Sequence, residues 1–504
     1  MLAVKVSAFL CCSLLYLAVT AIESNAQGVY QAWIQSYDGP GQDSDLPTGL
    51  AIDNFGNIYV TGYSAGAGTQ FDYATIKYSS QGDTVWIRRY DGTGSKIDRA
   101  FAIAVDSSGC AYVGGESSND VAFDFATVKY DSSGNVIWVK TYDGPVGEFD
   151  EINALTLDGK GYLYVTGNSW GINSVNDYFV MKYTVGGDSV WAARYNGDGN
   201  GHDAPWDIAV DDSGSVYITG YSQGVAGDYD YATVKFSPAG ETVWVRRFAA
   251  SENINDLAWS LALDNDRNVY VTGNTATIKY SPNGDSVWVR TNVTGDKIAL
   301  NNSGKVLVTG SNKIYQCNSD GQLMWQGNPG GVDLVADDSG NVYVTGGSAF
   351  AQTAKYDSLG NLLWSKQYDG PGNGADAGRA LALDNYGNLY VTGYGTGAGT
   401  GYDYVTIKYS PCQAIPGDAN SDGVLFLGDI VASVNYVFSR TGWPNCDSDS
   451  SICWLSELLC RGDWNGSGVV NLGDIIHAVN YLFGQSGGPW TPVLSGACCI
   501  NAPE

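Results

Sequence analysis

The sequence is poor in positive charge, in histidine and in long apolar segments. Its 26 lysines and arginines stand against 53 aspartates and glutamates, so the formal net charge is −27 at pH 7. Proteins that bind nucleic acids neutralise phosphates with lysine and arginine. We therefore expect no nucleic-acid partner. Much of the aspartate stands in turn sequences, so part of the acidity is turn chemistry.

The scarcity of histidine limits the catalytic chemistry. The sequence has two histidines, His202 and His477, and no Gly-x-Ser-x-Gly elbow accompanies either. A pair of carboxylates for glycoside hydrolysis stays open, because their separation is not visible in a sequence. The sequence favours a protein without enzymatic activity. The enzyme alternative is a polysaccharide-degrading glycosidase or lyase.

Only one long apolar run occurs, at residues 6–21, between Lys5 and the small residues Ser24 and Ala26. This pattern predicts a signal peptide at 1–26, and hence a secreted or cell-surface protein. No later run is long enough for a transmembrane anchor. In an oxidising compartment, the six C-terminal cysteines predict up to three disulfides of open pairing. They are Cys412, Cys446, Cys453, Cys460, Cys498 and Cys499.

A strand–turn–strand pattern, LAIDNFGNIYVTGYS at residues 50–64, occurs eight times. Apolar residues alternate on both sides of a D-x-x-G turn, which is typical of a β-hairpin. A third strand of the type ATIKY and a fourth containing tryptophan follow most copies. Four strands per repeat, at intervals of 36 to 53 residues, predict an all-β, eight-bladed β-propeller at 27–411. The turns begin at Asp53, Asp106, Asp158, Asp211, Asp264, Asn301, Asp337 and Asp384.

The eighth repeat ends at Tyr409 without a tryptophan strand of its own. The missing strand stands at the other end of the chain, where Trp33 precedes Trp86 by one repeat length. We therefore predict that the N-terminal strand is the outer strand of the last blade. Such a closure removes an open sheet edge.

The D-x-x-G-x-x-Y-V-T-G core of these copies resembles the SBBP-type bacterial β-propeller repeat, over roughly residues 32–410. The resemblance implies the architecture and no particular activity, because propellers support many functions.

An aspartate stands eight residues before the turn aspartate in six of the repeats. It falls at the start of each innermost strand, so six carboxylates would ring one mouth of the channel and bind a cation or cationic ligand. The alternative is that each anchors a loop by accepting backbone amides. The ring consists of Asp45, Asp98, Asp150, Asp203, Asp256 and Asp376. Tyrosines beside aspartates, such as Tyr37 and Tyr73, suit either sugar binding or packing between blades.

Residues 418–429 and 463–474 both follow the spacing of an EF-hand-like Ca²⁺ loop, and each precedes an apolar helical pattern. The ligands would be Asp418, Asn420, Asp422, Val424 through its carbonyl, and Asp429. In the second loop they would be Asp463, Asn465, Ser467, Val469, Asn471 and Asp474. Ser467 replaces an aspartate, so the second loop should bind Ca²⁺ more weakly.

This tandem resembles a type I dockerin and makes 412–504 a small α-helical, calcium-binding domain with a cysteine-rich insert. The resemblance implies tethering to a cohesin-like module. Recognition would involve Leu427, Gly428, Leu472 and Gly473. The alternative is a calcium-stabilised domain without a partner.

The favoured hypothesis is a calcium-dependent, tethered propeller that binds a carbohydrate or protein ligand on its long-loop face. A carbohydrate-active enzyme and a structural adhesion protein are the alternatives.

Overall fold

The strands of the computed structural model form eight separate four-stranded sheets. The structure describes residues 29–41, 43–93, 96–119, 121–251, 254–310, 312–372 and 374–411. Residues Gln31–Ser410 make up one unit. The predicted signal peptide, both calcium loops with their Leu-Gly pairs, and the six C-terminal cysteines lie outside the described residues. No described segment forms a helix that could cross a membrane.

The N-terminal strand and the first four blades use long strands of seven to nine residues. The strands are β1 (Val29–Tyr37), β2 (Asp45–Ile52), β3 (Ile58–Ala65), β4 (Phe71–Tyr78), β5 (Thr84–Tyr90), β6 (Asp98–Val105), β7 (Ala111–Ser118), β8 (Phe123–Tyr130), β9 (Val136–Tyr142), β10 (Asp150–Leu157), β11 (Tyr162–Trp170), β12 (Asn176–Thr184), β13 (Ser189–Tyr195), β14 (Asp203–Val210), β15 (Val216–Gln223), β16 (Tyr229–Phe236) and β17 (Thr242–Phe248).

Blades five to seven use shorter strands, and blade eight returns to the longer form. These strands are β18 (Ala258–Leu263), β19 (Val269–Gly273), β20 (Thr277–Tyr280), β21 (Ser286–Arg290), β22 (Lys297–Leu300), β23 (Val306–Gly310), β24 (Lys313–Cys317), β25 (Leu323–Gly327), β26 (Asp333–Ala336), β27 (Val342–Gly346), β28 (Ala351–Tyr356), β29 (Leu362–Tyr368), β30 (Ala377–Leu383), β31 (Leu389–Thr396) and β32 (Tyr402–Pro411).

Blades one to seven each consist of four consecutive strands, from β2–β5 to β26–β29. The eighth sheet has the order β1-β32-β31-β30, so the N-terminal strand is its outermost member. This confirms the predicted closure. The eight-bladed, all-β fold class is likewise confirmed for the described residues.

Each repeat is held locally by the residue that begins its turn, which is an aspartate in every blade except blade six, where it is Asn301. In blade one, Asp53 Oδ1 accepts the amides of Phe55 and Asn57, both at 2.9 Å, and Oδ2 accepts the Tyr59 hydroxyl at 3.1 Å. Gly56 supplies the positive φ of 77° that the turn requires. The pattern D-x-x-G-x-x-Y is therefore one hydrogen-bonded unit.

Tryptophan joins neighbouring blades. Trp86 Nε1 donates to the Ser132 carbonyl of the next blade at 3.2 Å, and Trp33 donates to Ser80 across the closure at the same distance. The rings pack against buried tyrosines, such as Tyr59 beside Trp86. The core is thus a ring of blade-to-blade seams filled by aromatic and β-branched residues.

The innermost strands of six blades carry a β-bulge near their start. In β2 the pairing with β3 shifts between Pro47 and Gly49, and Thr48 is left unpaired. A bulge turns its side chain out of the regular alternation. The bulged residues are Thr48, Phe101, Asn153, Trp206, Trp259 and Arg379.

Candidate binding site at the channel mouth

The six predicted ring aspartates lie at or just before the start of the innermost strands and are almost fully buried. Each accepts the backbone amide of the residue six positions earlier. The distances are 2.5 Å for Gly39 to Asp45 and 2.9 Å for Gly370 to Asp376. Asp98, Asp150, Asp203 and Asp256 accept the amides of Gly92, Gly144, Gly197 and Ala250 in the same way. These are the contacts of the loop-anchoring alternative.

Burial is the main cause of the raised pKa of three of these carboxyls. Desolvation raises the pKa of Asp45, Asp98 and Asp150 to about 6, although serine and glycine donors oppose it. Each of the three also lies within a group of carboxylates whose oxygens are within 4.8 Å of one another. The groups are Asp38–Asp45–Asp403, Asp72–Asp91–Asp98 and Asp124–Asp143–Asp150. Cation binding by the ring residues stays a prediction.

The tyrosines beside aspartate are packing residues. The hydroxyl groups of Tyr73, Tyr178 and Tyr231 donate to carbonyl groups of the next blade at 3.0–3.1 Å. Tyr404 donates to Ala74 across the closure at 3.2 Å. These four side chains are buried, so they do not form an open sugar-binding surface.

The side chains that differ between blades occupy two positions at the mouth. One is the bulged residue of the innermost strand. The other follows the Thr-Gly or Gly-Gly pair of the second strand, as at Tyr63, Glu116, Asn168 and Tyr221. None of the bulged residues is fully buried, and Trp206 is 41% exposed. Binding residues commonly stand on such variable positions of a rigid scaffold.

A first cavity, of about 320 Å³, lies over blades three and four. Carboxylate, amide, imidazole and aromatic groups line it. Asn153 donates to Asn168 Oδ1 and to the Pro205 carbonyl, both at 2.9 Å, which fixes both amides. The lining residues are Glu151, Asn153, Asn168, Asn176, His202, Ala204, Trp206, Tyr221 and Tyr229.

An aromatic pair and a cluster of charged groups lie around the first cavity. Trp206 packs edge-on against Trp259, with ring centroids 5.3 Å apart. Arg99 Nη1 lies 3.3 Å from Glu116 Oε1. Burial, followed by the charge of Glu151, raises the pKa of Glu116 to about 7. Burial also raises the pKa of Glu151, while Arg99 and Asn168 oppose the shift.

A second cavity, of about 340 Å³, lies over blades seven, eight, one and two. Its walls are mainly apolar and aromatic, and Arg379 is the charged member of its lining. The lining residues are Leu46, Pro47, Thr48, Tyr63, Phe101, Val332 and Arg379. Arg379 stacks over the Tyr394 ring, with 5.2 Å between Cζ and the ring centroid.

The sequence-based prediction found the aspartate ring and did not find these cavity residues. A signal was present: the third residue after each ring aspartate changes from Thr48 to Phe101, Asn153, Trp206, Trp259 and Arg379. Recurring residues mark the contacts that every blade shares. The lining of a single site consists of residues that do not recur.

Comparison with known proteins agrees with this architecture. A family model described as SBBP, beta-propeller repeat, matches residues 39–68. An uncharacterized WD repeat-containing protein of Acanthamoeba polyphaga mimivirus is 24% identical over 271 residues. The match covers 44% of this chain and 19% of the viral protein.

Among solved structures, Sqt1 of Chaetomium thermophilum bound to the N-terminus of the ribosomal protein L10 has a TM-score of 0.53 at 12% identity. The match covers 76% of this chain and 100% of Sqt1. Sqt1 without that peptide gives the same score. At this identity the likeness shows the fold alone. The repeat match and the eight sheets together make this chain a β-propeller repeat protein.

Proposed function

We propose that the propeller is a non-catalytic binding domain and that its ligand is a carbohydrate held at the first cavity. The observation that carries this proposal is the convergence of Asn153, Asn168, Trp206 and Tyr221 at the point where the repeat breaks. Ligand cavities typically combine apolar walls with a few fixed polar groups.

The chemistry of the lining suits a saccharide. Amide side chains both donate and accept hydrogen bonds, as pairs of sugar hydroxyls do. Aromatic rings offer an apolar face with a polar edge, against which the C–H face of a pyranose can stack. Because Asn153 fixes Asn168, these groups lose little conformational freedom on binding, which favours affinity.

The test uses the full mature chain, a glycan array, and calorimetry with the neutral hexasaccharides of cellulose, xylan and mannan. We expect binding to at least one neutral or acidic glycan. Trp206→Ala should weaken it at least tenfold, or about 1.4 kcal/mol, because it removes the stacking surface. Phe55→Ala is the matched control, since Phe55 is 74% exposed in a hairpin turn away from this cavity.

Two results would contradict the proposal. One is the absence of binding to any saccharide on the array. The other is equal loss of affinity in Trp206→Ala and Phe55→Ala. Release of reducing ends during incubation would show that the site is catalytic, and would favour the enzyme alternative.

We further propose that this domain is exported and tethered by its C-terminal module, which binds Ca²⁺ through the loops at 418–429 and 463–474. The support is the tandem of EF-hand-like ligand spacings. Calorimetric Ca²⁺ titration of the chain should show two sites of unequal affinity. Asp418→Ala should remove the tighter one. Pull-down by an immobilised type I cohesin tests the tether, and its failure in Ca²⁺ would leave the structural-domain alternative.

A further inference from the structure

The second cavity lies on the same mouth as the first. Its bulged residues, Arg379, Thr48 and Phe101, come from blades eight, one and two, and those of the first cavity from blades three and four. The Arg99–Glu116 ion pair of blade two stands between the two sets. A ligand that extends along the mouth from blade one to blade four would therefore meet both cavities.

Arg379 differs from the other arginines of the described residues. Arg89, Arg99, Arg194, Arg247 and Arg267 each lie within 4.0 Å of a carboxylate oxygen. Those at 88, 246 and 290 donate to backbone carbonyl groups. Arg379 makes neither kind of contact with any described residue. It is exposed at the mouth, and its contact with the Tyr394 ring leaves the N–H edge of the guanidinium unused.

The surroundings of Arg379 favour an anion with an apolar body. Tyr63 and Phe101, whose ring centroids are 6.5 Å apart, form one wall, and Leu46 and Val332 contribute aliphatic surface. Arg99 lies over the Tyr63 ring, with 5.9 Å between Cζ and the ring centroid, and Arg379 lines the same cavity as Tyr63. Arg379 is thus the charged residue in the lining of this cavity, in a protein of net charge −27.

We propose that Arg379 binds the carboxylate of an acidic sugar, so that the ligand of the mouth is an oligosaccharide containing uronic acid. This inference rests on the carbohydrate-binding function proposed above. A guanidinium and a carboxylate match in a bidentate geometry, which gives orientation as well as affinity. The aromatic wall then faces the ring of the same sugar, and the amide-lined first cavity takes its neighbours.

An acidic peptide would satisfy Arg379 as well, but the rest of the mouth favours the glycan. A peptide bound in an extended form needs a free strand edge or a row of backbone partners. The two cavities are bounded by side chains instead, among them those of the bulged residues Asn153, Trp206 and Arg379. The first cavity offers amide and aromatic side chains, which suit hydroxyl groups.

The experiment compares two ligands of the same sugar backbone, tetragalacturonic acid and its fully methyl-esterified form, whose carboxyl groups are uncharged and carry methyl groups. Calorimetry uses the full mature chain at pH 7.5. We expect the acid to bind at least tenfold more tightly than the ester. Arg379→Gln should abolish this preference by weakening the binding of the acid at least tenfold, and Arg379→Lys should keep part of it. Lys366→Gln is the matched control, because it removes the same charge from an exposed position on the outer strand β29.

The outcomes separate this inference from the broader one. If the neutral hexasaccharides or the ester bind as well as the acid, the uronate assignment is wrong and the carbohydrate proposal stands. If no saccharide binds, both are wrong. If a peptide ending in two glutamates binds through Arg379 and the saccharides do not, the ligand is a protein segment and the inference is overturned. Melting curves of each variant show that it is folded.

Discussion

Removal of the N-terminal strand tests the closure of the ring. Trp33 packs between Tyr78 and Tyr390, at centroid distances of 6.0 and 5.9 Å, and its indole donates to Ser80 at 3.2 Å. Because Trp33 is only half-buried, we take the low end of the usual cost of a Trp→Ala change, about 3 kcal/mol. The hydrogen bond is about 1 kcal/mol of that.

This cost can be converted into a melting shift. An unfolding entropy of about 2.1 cal/mol/K per residue, over Gln31–Ser410, gives roughly 0.8 kcal/mol/K. Trp33→Ala should therefore lower the melting temperature by roughly 4 °C. A chain that begins at Gly39 loses the whole strand, including the Tyr37–Tyr404 contact, and leaves the ten residues of β32 as an open edge. We expect a larger loss and concentration-dependent association through that edge.

Differential scanning calorimetry and light scattering at two protein concentrations measure both effects. Trp364→Ala is the informative control. Trp364 packs against Tyr409, but no turn carbonyl accepts its indole N–H among the described residues, because the two outer strands of blade eight come from opposite chain ends. Its cost should be about 1 kcal/mol smaller than that of Trp33→Ala. A truncated chain that stays monomeric and melts like the full one would refute the closure argument.

Three further predictions concern hydroxyl groups, pH and metal. Tyr231→Phe should cost about 2 kcal/mol, and Tyr73→Phe about 1, because the Tyr231 hydroxyl also accepts two backbone amides; urea unfolding measures both. The raised pKa of Asp98, about 6 against an ordinary 3.8, means that its folded form holds its proton more tightly. Its contribution to stability therefore grows as the pH falls from 7 to 4. Melting should be higher at pH 5 than at pH 7.5, Asp98→Asn should reduce the difference, and a steady fall on acidification would contradict this reasoning. Finally, EDTA should abolish a helical signal from 412–504 in the full chain, and excess Ca²⁺ should restore it; a signal that survives EDTA would exclude folding by calcium.

The architecture was predictable because the contacts that stabilise it repeat. The turn aspartate, its glycine and the tyrosine that closes the unit recur in six of the eight blades, so they can be counted. Blade five has Arg267 in place of the glycine, and blade six has Asn301 and Leu307 in place of the aspartate and the tyrosine. The closure was predictable from the same count of strands, because the eighth repeat lacks a tryptophan strand and an additional one precedes the first repeat. The position of the ring aspartates was also predictable. Their hydrogen bonds to amides such as Gly39 match the loop-anchoring alternative. The sequence could not choose between the two alternatives, because an aspartate looks the same in a sequence whether it anchors a loop or binds a cation.

The bulges explain why the mouth was not predictable. A bulge shifts the alternation by one residue, so Trp206 and Arg379 cannot be assigned to a face by counting in twos. The bulge also allows the residue at this position to change with little effect on the stability of the fold. Pairing resumes on both sides of the bulged residue, and the neighbouring side chains at the ring aspartate and at Leu381 are buried while Arg379 is exposed. Substitution at a bulge should therefore cost little stability, usually within about 0.5 kcal/mol at surface positions. Repeated blades can then carry an asymmetric mouth, and loss of binding in Trp206→Ala or Arg379→Gln can be interpreted as loss of a ligand contact.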